Sequence, residues 1–225
     1  MKIIRSETNQ ILDIISTKVI NIIKEKEDAN LLITSEKELI SLYQQIVNKY
    51  QNQIISFVQS KVFILSEYIN SIQEKVDSLN KIIDNNLIKK IDIKQENFHF
   101  PKDVYSYNQI INNINFFDFT LLYLDDDFKI SFNHLDGKLI NQTKIIGLSD
   151  RSIRNRFKEE KDHPHLAITM GIKDIFYKSK EINLLILGNN KKQILNKIEN
   201  KKKNDSLFLK FLLNHQNITI FTDIN

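Results

Sequence analysis

The sequence contains no cysteine among its 225 residues, so neither a disulfide framework nor a metal site built on thiolates can form. It also lacks an apolar run of the roughly 18 residues that a membrane-spanning helix needs, and runs such as 182–187 have the length of a strand. Residues 1–5 lead into an amphipathic pattern and not into a cleavable apolar segment, so no signal peptide is expected. These absences predict a cytoplasmic protein without a membrane partner.

A dominant sign of charge is absent as well. The 32 basic and 28 acidic side chains are mixed along the chain and leave a formal net charge of +4. The basic run at residues 201–203 lies between polar residues, which is typical of a solvated loop. Because no nucleic-acid-binding motif accompanies this run, a nucleic-acid partner is not expected.

The chain has no Gly/Pro/Ser-rich linker and no internal repeat, which favours one domain over residues 1–225. Short apolar runs alternate with segments whose apolar residues recur at helical spacing, as Ile11, Ile15 and Val19 do. This alternation predicts an α/β fold in which helices cover both faces of a mainly parallel sheet. The predicted strands are 31–33, 61–65, 120–124, 144–148, 166–169, 183–187 and 218–222, and the predicted helices are 11–22, 39–47, 72–88, 149–157, 173–178, 191–198 and 207–213.

In such sheets ligands bind at the carboxyl ends of the strands, and the segments at these ends carry recognisable motifs. Residues 167–171 read Ala-Ile-Thr-Met-Gly, residues 187–191 read Leu-Gly-Asn-Asn-Lys, and residues 63–68 read Phe-Ile-Leu-Ser-Glu-Tyr. They resemble, in turn, the A-[IL]-T-[MV]-G, L-G-x-x-K and F-N-[LM]-D-E-Y segments of glucosamine-6-phosphate deaminases. The resemblance implies a modified doubly wound α/β domain. It also implies the chemistry of that family, which opens an amino-sugar 6-phosphate ring, moves a proton from C2 to C1 and expels ammonia.

The resemblance locates the positions where the family transfers protons, and three of four have changed type. Ser66 stands in place of the aspartate of D-E-Y, the presumed base at C2, and a serine hydroxyl is too weak a base to act alone. In D-G-H, Asp127 is retained, but Lys129 replaces the histidine and is protonated near neutrality unless its pKa falls by several units. His134 replaces the glutamate of F-N-E-P. The family's catalysis is therefore expected to be lost.

The resemblance also implies which groups approach the substrate phosphate. Arg156 and Lys191 match the family's arginine and lysine, although a solvent-exposed helix arginine and lysine are the alternative. The family's phosphate loop, T-G-[SG]-T-P, corresponds to residues 35–39. Within it, Ser35 and Glu38 have the spacing of a capping box, which predicts that the helix closes its own N-terminus and binds no anion there.

Three functions remain open at this point. The first is a catalytically degenerate homologue that binds a hexose or hexosamine 6-phosphate. The second is an active isomerase, deaminase or lactonase, in which His134 carries the proton and Asp127 orients it. The third is a non-catalytic structural partner of an intact paralogue, for which an oligomer is possible. No cofactor is expected, and no metal site either, since His163 and His165 have no third ligand placed near them in sequence.

Overall fold

A seven-stranded parallel sheet forms the centre of the computed structural model, which describes residues 1–52, 55–69, 78–134, 142–157, 163–200 and 207–225. Its central strands are apolar runs such as Phe-Thr-Leu-Leu-Tyr, because a strand covered by helices on both faces is buried along its whole length. In chain order the strands are β1 (Lys2–Arg5), β2 (Asn30–Ile33), β3 (Lys61–Ile64), β4 (Ser66–Ile69), β5 (Phe98–His99), β6 (Phe119–Tyr123), β7 (Lys129–Ile130), β8 (Asn133–His134), β9 (Lys144–Gly147), β10 (Leu166–Thr169), β11 (Ile182–Ile186) and β12 (Ile218–Thr222).

The strand order of this sheet is β1-β12-β11-β6-β2-β3-β5, and every neighbouring pair runs parallel. From β2 the chain adds β3 and β5 toward one edge. It then returns to the other side of β2 with β6, and adds β11 and β12 toward the opposite edge. The winding reverses between β2 and β6, and such a switch point opens a crevice at the carboxyl ends of the strands. The doubly wound, mainly parallel fold that the sequence predicts is confirmed.

Helices pack on both faces of the sheet, because successive residues of a strand point to opposite sides. Leu31 and Ile33 belong to one buried apolar cluster, whereas Leu32, between them, belongs to the other. In chain order the helices are α1 (Thr8–Glu25), α2 (Ile40–Gln51), α3 (Leu79–Asn86), α4 (Val104–Asn112), α5 (Asp150–Phe157), α6 (Ile172–Lys178), α7 (Lys192–Glu199) and α8 (Leu207–Asn214), of which the first three cover one face and α4 and α6 to α8 cover the other.

Strands β9 and β10 form as predicted, but they lie outside the parallel sheet. Strand β10 pairs antiparallel with both β9 and β4 in a separate three-stranded sheet. The predicted strand 61–65 ends at Ile64, because the chain bends at Leu65 and continues as β4 into this second sheet. A small apolar cluster that includes Phe132 and Ala167 packs against it. The second sheet carries Ser66 and Tyr68 toward the switch point.

Several further elements differ from the prediction. Strand β1 and helix α4 were not predicted. Asp103 caps α4 by accepting a hydrogen bond from the backbone N–H of Ser106 at 2.9 Å. The predicted helix 72–88 is observed as α3, followed by a short 3-10 turn at Ile88–Lys90, while residues 72–77 lie outside the described residues. The basic run at 201–203 also lies outside them. Within the described residues, no helix is both long and apolar enough to cross a membrane.

Candidate ligand-binding cleft

A cleft of about 690 Å³ opens at the switch point between β2 and β6. This volume is within the range of about 300–1,000 Å³ that is usual for small-molecule sites. The segments after these two strands form two walls, and β4, α3 and α5 supply the remainder. The lining residues are Ser35, Glu36, Lys37, Glu38, Tyr68, Leu79, Ile82, Tyr123, Asp125, Asp126, Asp127, Asn155, Arg156 and Phe157.

Arg156 is the central cation of the cleft. Its guanidinium donates to both carboxylate oxygens of Glu36, at 3.0 and 3.4 Å, and to Asp125 Oδ2 at 3.1 Å. The guanidinium also lies over the ring of Phe132, 4.8 Å from its centroid. Burial alone would lower the pKa of Arg156, but Glu36, Tyr68 and Asp125 raise it well above its usual value. The side chain is only 16% exposed. The alternative of a solvent-exposed helix arginine is therefore wrong.

The carboxylates around Arg156 are themselves buried. Burial raises the pKa of Asp125, and Glu36 raises it further, while the N–H of Lys129 and the charge of Arg156 act in the opposite direction. Tyr68 lies on the same wall, and burial raises the pKa of its phenol to about 12. Two buried acidic side chains and a phenol therefore surround one guanidinium.

Lys191 is buried against the base of the same cleft. Its ammonium donates to the backbone oxygen of Leu187 at 2.8 Å, pairs with Asp126 Oδ1 at 3.0 Å and lies 4.7 Å from the ring centroid of Tyr123. With the residue 1% exposed, the solvent-exposed alternative is wrong here too. Gly188 begins the loop with φ of +95°, a backbone conformation that favours glycine. Lys191 is not among the described residues that line the cleft, but its partners Tyr123 and Asp126 are.

Asp127 and Lys129 belong to one hydrogen-bonded network. Asp127 accepts hydrogen bonds from Asn155 at 2.7 Å and from Ser152 at 2.8 Å, and its Oδ1 lies 2.9 Å from Nε of Arg151. Lys129 Nζ donates to the same Ser152 hydroxyl and lies 3.9 Å from Asp127 Oδ2. Burial lowers the pKa of Lys129, whereas Asp127 and Asp125 raise it. Side chains of helix α5 thus form hydrogen bonds with both Asp127 and Lys129.

Ser66 lies behind the cleft wall, at the first position of β4. It is buried, and its hydroxyl accepts a hydrogen bond from the hydroxyl of Ser131 at 2.7 Å. A hydroxyl partner cannot activate serine as a general base would. Ser66 is not among the described residues that line the cleft. The hydrogen-bond partner of Ser66 is therefore a hydroxyl and not a base.

The turn between β7 and β8 holds two residues in the left-handed region. Ser131 has φ of 47° and Phe132 has φ of 64°, which is uncommon for residues with a side chain. Asn133 fixes the turn by donating to the Thr169 hydroxyl at 3.1 Å and to the backbone oxygen of Met170 at 3.0 Å. This constraint places the ring of Phe132 beneath the guanidinium of Arg156. The Phe-Asn pair thus links the hairpin to the cation.

His134 follows this turn as the last residue of β8, directly opposite Lys129 in the hairpin. Its side chain lies outside the described part of the structure. Of the residues predicted to act together, the structure brings Asp127 and Arg156 to the cleft. Lys129, Ser66 and Lys191 lie around it behind the lining residues.

The predicted capping box at Ser35 and Glu38 is wrong. The chain enters a 3-10 turn at Lys37–Leu39, and α2 begins only at Ile40, so the α-helical turn that a capping box needs is absent here. No side chain caps either element, and within the described residues the Ser35 hydroxyl is buried without a hydrogen-bond partner. Glu36 turns out to be the important acid of this loop, because its carboxylate binds Arg156.

Glu67 is a further functional position that the sequence did not single out. Its carboxylate accepts the backbone N–H groups of Leu79 at 2.9 Å and Asn80 at 2.7 Å, and so caps α3 from a different element. Burial raises the pKa of Glu67, although the N–H groups that it accepts lower it. Helix α3 supplies one wall of the cleft, so Glu67 positions that wall. Sequence neighbours alone give no signal for this contact.

Comparison with known proteins adds a sequence relative and two similar folds, while no protein-family model matched the chain. A glucosamine-6-phosphate deaminase from Malacoplasma penetrans (strain HF-2) is 32% identical over 216 residues, which cover 90% of this chain and 89% of that protein. A solved monomeric glucosamine-6-phosphate deaminase has a TM-score of 0.87 at 23% identity, over 99% of this chain and 97% of the other. The 6-phosphogluconolactonase from Thermotoga maritima has a TM-score of 0.72 at 17% identity, over 98% and 96%. At these identities the two structures establish the fold, whereas the sequence relative bears on the family.

Proposed function

The chain belongs to the glucosamine-6-phosphate deaminase family, and we propose that it binds a sugar phosphate in the switch-point cleft without deaminating amino sugars. One observation carries the proposal. At two positions where the family resemblance implies proton transfer, the side chains are of another type and are held by neighbouring hydroxyls. Ser66 is paired with Ser131, and Lys129 with Ser152.

Deprotonation at C2 of a sugar needs a base that is positioned and able to accept a proton. The buried carboxylates of the cleft are engaged, because Glu36 and Asp125 both bind Arg156 and Asp127 accepts hydrogen bonds from Asn155 and Ser152. Although burial lowers the pKa of Lys129, this amine lies behind the lining residues of the cleft. The arrangement therefore suits binding better than proton transfer.

Binding of a sugar phosphate is supported by the position and lining of the cleft. Open α/β sheets collect ligands at the switch point, and there the guanidinium of Arg156 has the planar donor geometry that suits phosphate oxygens. The carboxylate of Asp126 can accept hydrogen bonds from sugar hydroxyls, and the amide of Asn155 can both accept and donate them. The rings of Tyr68 and Phe157 provide the apolar wall that a sugar face needs.

Two measurements on the purified protein test the proposal. Ammonia release from glucosamine 6-phosphate should not exceed the background without protein. Thermal unfolding should shift upward with glucose 6-phosphate or glucosamine 6-phosphate at millimolar concentration, and not with glucose or glucosamine. A ligand at 100 times its dissociation constant stabilises a fold by about 2.7 kcal/mol, which such a scan detects. If no sugar phosphate shifts the transition, a non-catalytic role as a structural partner replaces the proposal.

A rearranged enzyme is the second candidate, because His134 lies directly across the hairpin from Lys129. Cross-strand neighbours are close enough to act together. Ammonia release, or hydrolysis of 6-phosphogluconolactone, that disappears in His134→Ala would establish this function in place of the first. Lys173→Ala, which removes an exposed lysine side chain of helix α6, should leave such turnover intact and serves as the control.

A further inference from the structure

We propose that Glu36 determines which ligands the cleft accepts, because its carboxylate is an internal anion that competes with a ligand phosphate for Arg156. The inference rests on the proposed function, since it concerns how a phosphate reaches this guanidinium. In the unliganded protein the ion pair closes the anion site. A phosphorylated sugar is accepted only when the pair opens.

The geometry of the pair is that of an occupied anion site. Arg156 presents Nη1 and Nη2 to the two oxygens of Glu36 at 3.0 and 3.4 Å, which is the two-point contact that guanidinium also makes with phosphate. The exposed fractions of the two side chains are 16% and 9%, so water screens the pair little. A phosphate cannot make the same contact while Glu36 holds it.

Ser35 provides an independent sign that this end of the cleft is built for an anion. Ser35 lines the cleft next to Glu36 in the chain, and its hydroxyl is buried with no hydrogen-bond partner within the described residues. Buried polar groups are nearly always paired, and an unpaired one calls for an explanation. A phosphate oxygen in place of the Glu36 carboxylate would give the hydroxyl an acceptor.

The overall negative charge of the cleft is a competing explanation for any gain in phosphate affinity when Glu36 is replaced. An experiment can separate the two explanations. The lining carries five carboxylates, Glu36, Glu38 and the three consecutive aspartates 125–127, against Lys37 and Arg156. Removal of any one of these carboxylates should therefore raise the affinity of the cleft for an anion somewhat. Glu38 makes the matched control, because it lies in the same loop and lines the same cleft but is exposed and is not the carboxylate that binds Arg156.

Isothermal titration of glucose 6-phosphate, inorganic phosphate and glucose into wild type, Glu36→Gln and Glu38→Gln tests the proposal. The apparent affinity of a site is reduced by the fraction of time that it is open, so a pair open one tenth of the time weakens binding about tenfold. Glu36→Gln should bind both phosphate compounds about tenfold more tightly than wild type. Glu38→Gln should change these affinities less than about threefold. Neither substitution should affect glucose.

A second variant protects the test against misfolding of Glu36→Gln. Glu36→Asp keeps the charge but shortens the side chain by one methylene, so it should lose the two-point contact and bind phosphate more tightly than wild type. Equal affinities in wild type and both Glu36 variants would refute the competition while leaving the proposed function intact. Equal gains in Glu36→Gln and Glu38→Gln would also refute it, in favour of net charge.

The inference and the proposed function fail in distinguishable ways. Suppose that Glu36→Gln binds inorganic phosphate more tightly than wild type does, but that neither protein binds glucose 6-phosphate. Then Glu36 does compete with phosphate for Arg156, and the proposed sugar-phosphate binding is wrong. If Glu36→Gln binds neither phosphate compound, the competition is wrong, and the wild-type titration alone then decides the proposed function.

Discussion

Replacement of Arg156 by alanine should destabilise the fold strongly. An arginine in an open cleft would contribute little to folding. The structure shows instead that its guanidinium donates three hydrogen bonds to Glu36 and Asp125, with all three side chains largely buried. Arg156→Ala leaves two buried carboxylates facing each other without their cation.

The magnitude follows from what each carboxylate retains. Removal of one partner of a buried ion pair typically costs 3–5 kcal/mol. Asp125 keeps the backbone N–H groups of Asp127 at 2.9 Å and Lys129 at 2.8 Å, so its charge remains partly satisfied. We therefore expect the lower end, about 3 kcal/mol in the free energy of unfolding. For a chain of this size each kcal/mol lowers Tm by about 2–4 °C, which predicts a fall of about 6–12 °C.

The pH dependence separates charge from packing. Burial already raises the pKa of Asp125, and loss of Arg156 removes a charge that lowers it. A carboxyl whose pKa in the folded state lies above its unfolded value destabilises the fold above that pKa, and the penalty disappears as pH falls through it. The difference between Arg156→Ala and wild type should therefore be largest at neutral pH and shrink toward acidic pH. Loss of the contact with Phe132 alone would give a difference independent of pH.

Urea unfolding of wild type, Arg156→Ala and Arg151→Ala at several pH values measures these differences. Arg151 is the matched control, because it lies on the same helix α5 and its Nε is 2.9 Å from Asp127, but its side chain is 62% exposed. Exposed ion pairs contribute about 0–1 kcal/mol, so Arg151→Ala should be nearly neutral. Equal, small effects of the two substitutions would refute the reasoning that Arg156 holds a buried pair of acids.

Three further substitutions test other contacts by urea unfolding. Glu67→Ala should cost about 2 kcal/mol because it leaves the buried first turn of α3 without its acceptor, and an unchanged transition would show that this cap contributes nothing. Ser35→Ala should be neutral or slightly stabilising, since the hydroxyl has no described partner, and a loss near 1 kcal/mol would restore the capping interpretation. Tyr43→Phe should cost about 1–2 kcal/mol, because the backbone oxygen of Thr34 loses its buried donor. Tyr105→Phe, at an exposed site, is the control and should change stability by less than about 0.5 kcal/mol. Equal effects of the two substitutions would contradict this expectation.

The central sheet could be predicted from sequence because its strands are buried on both faces. Such strands are continuous apolar runs, as in β6 and β11, and are visible without knowledge of their neighbours. Strands whose partners lie far away in sequence were less predictable. Strand β1 has only four residues and pairs with β12 at the opposite end of the chain, and β4 continues from β3 with a bend of one residue. Helix α4 was visible in principle, since Asp103 is a good cap and Tyr107 and Ile111 recur at helical spacing.

Several residues of the site could be predicted from the sequence, but the contacts between them could not. The motifs identified the family, which the sequence relative confirms, and they pointed to Asp127 and Arg156, which reach the cleft. Glu36 lies beside the predicted cap Ser35, and the local spacing that a single sequence displays gives no sign of its partner. Its partner Arg156 lies 120 residues away and meets it only after β2 and β6 come side by side. A contact of this kind depends on topology.

The ion pair joins Arg156, which follows the family pattern, to Glu36, which lies in a loop that departs from it. A guanidinium buried as deeply as that of Arg156 needs an anion at all times, because an unpaired buried charge is strongly destabilising. A loop that holds phosphate through backbone N–H groups supplies no such anion when the ligand is absent. The acidic loop of this chain does, since Glu36 binds Arg156 in the unliganded protein. Glu36 thus adds a second anion beside Asp125 for the buried arginine, and stability and anion binding at this position draw on the same two nitrogen atoms.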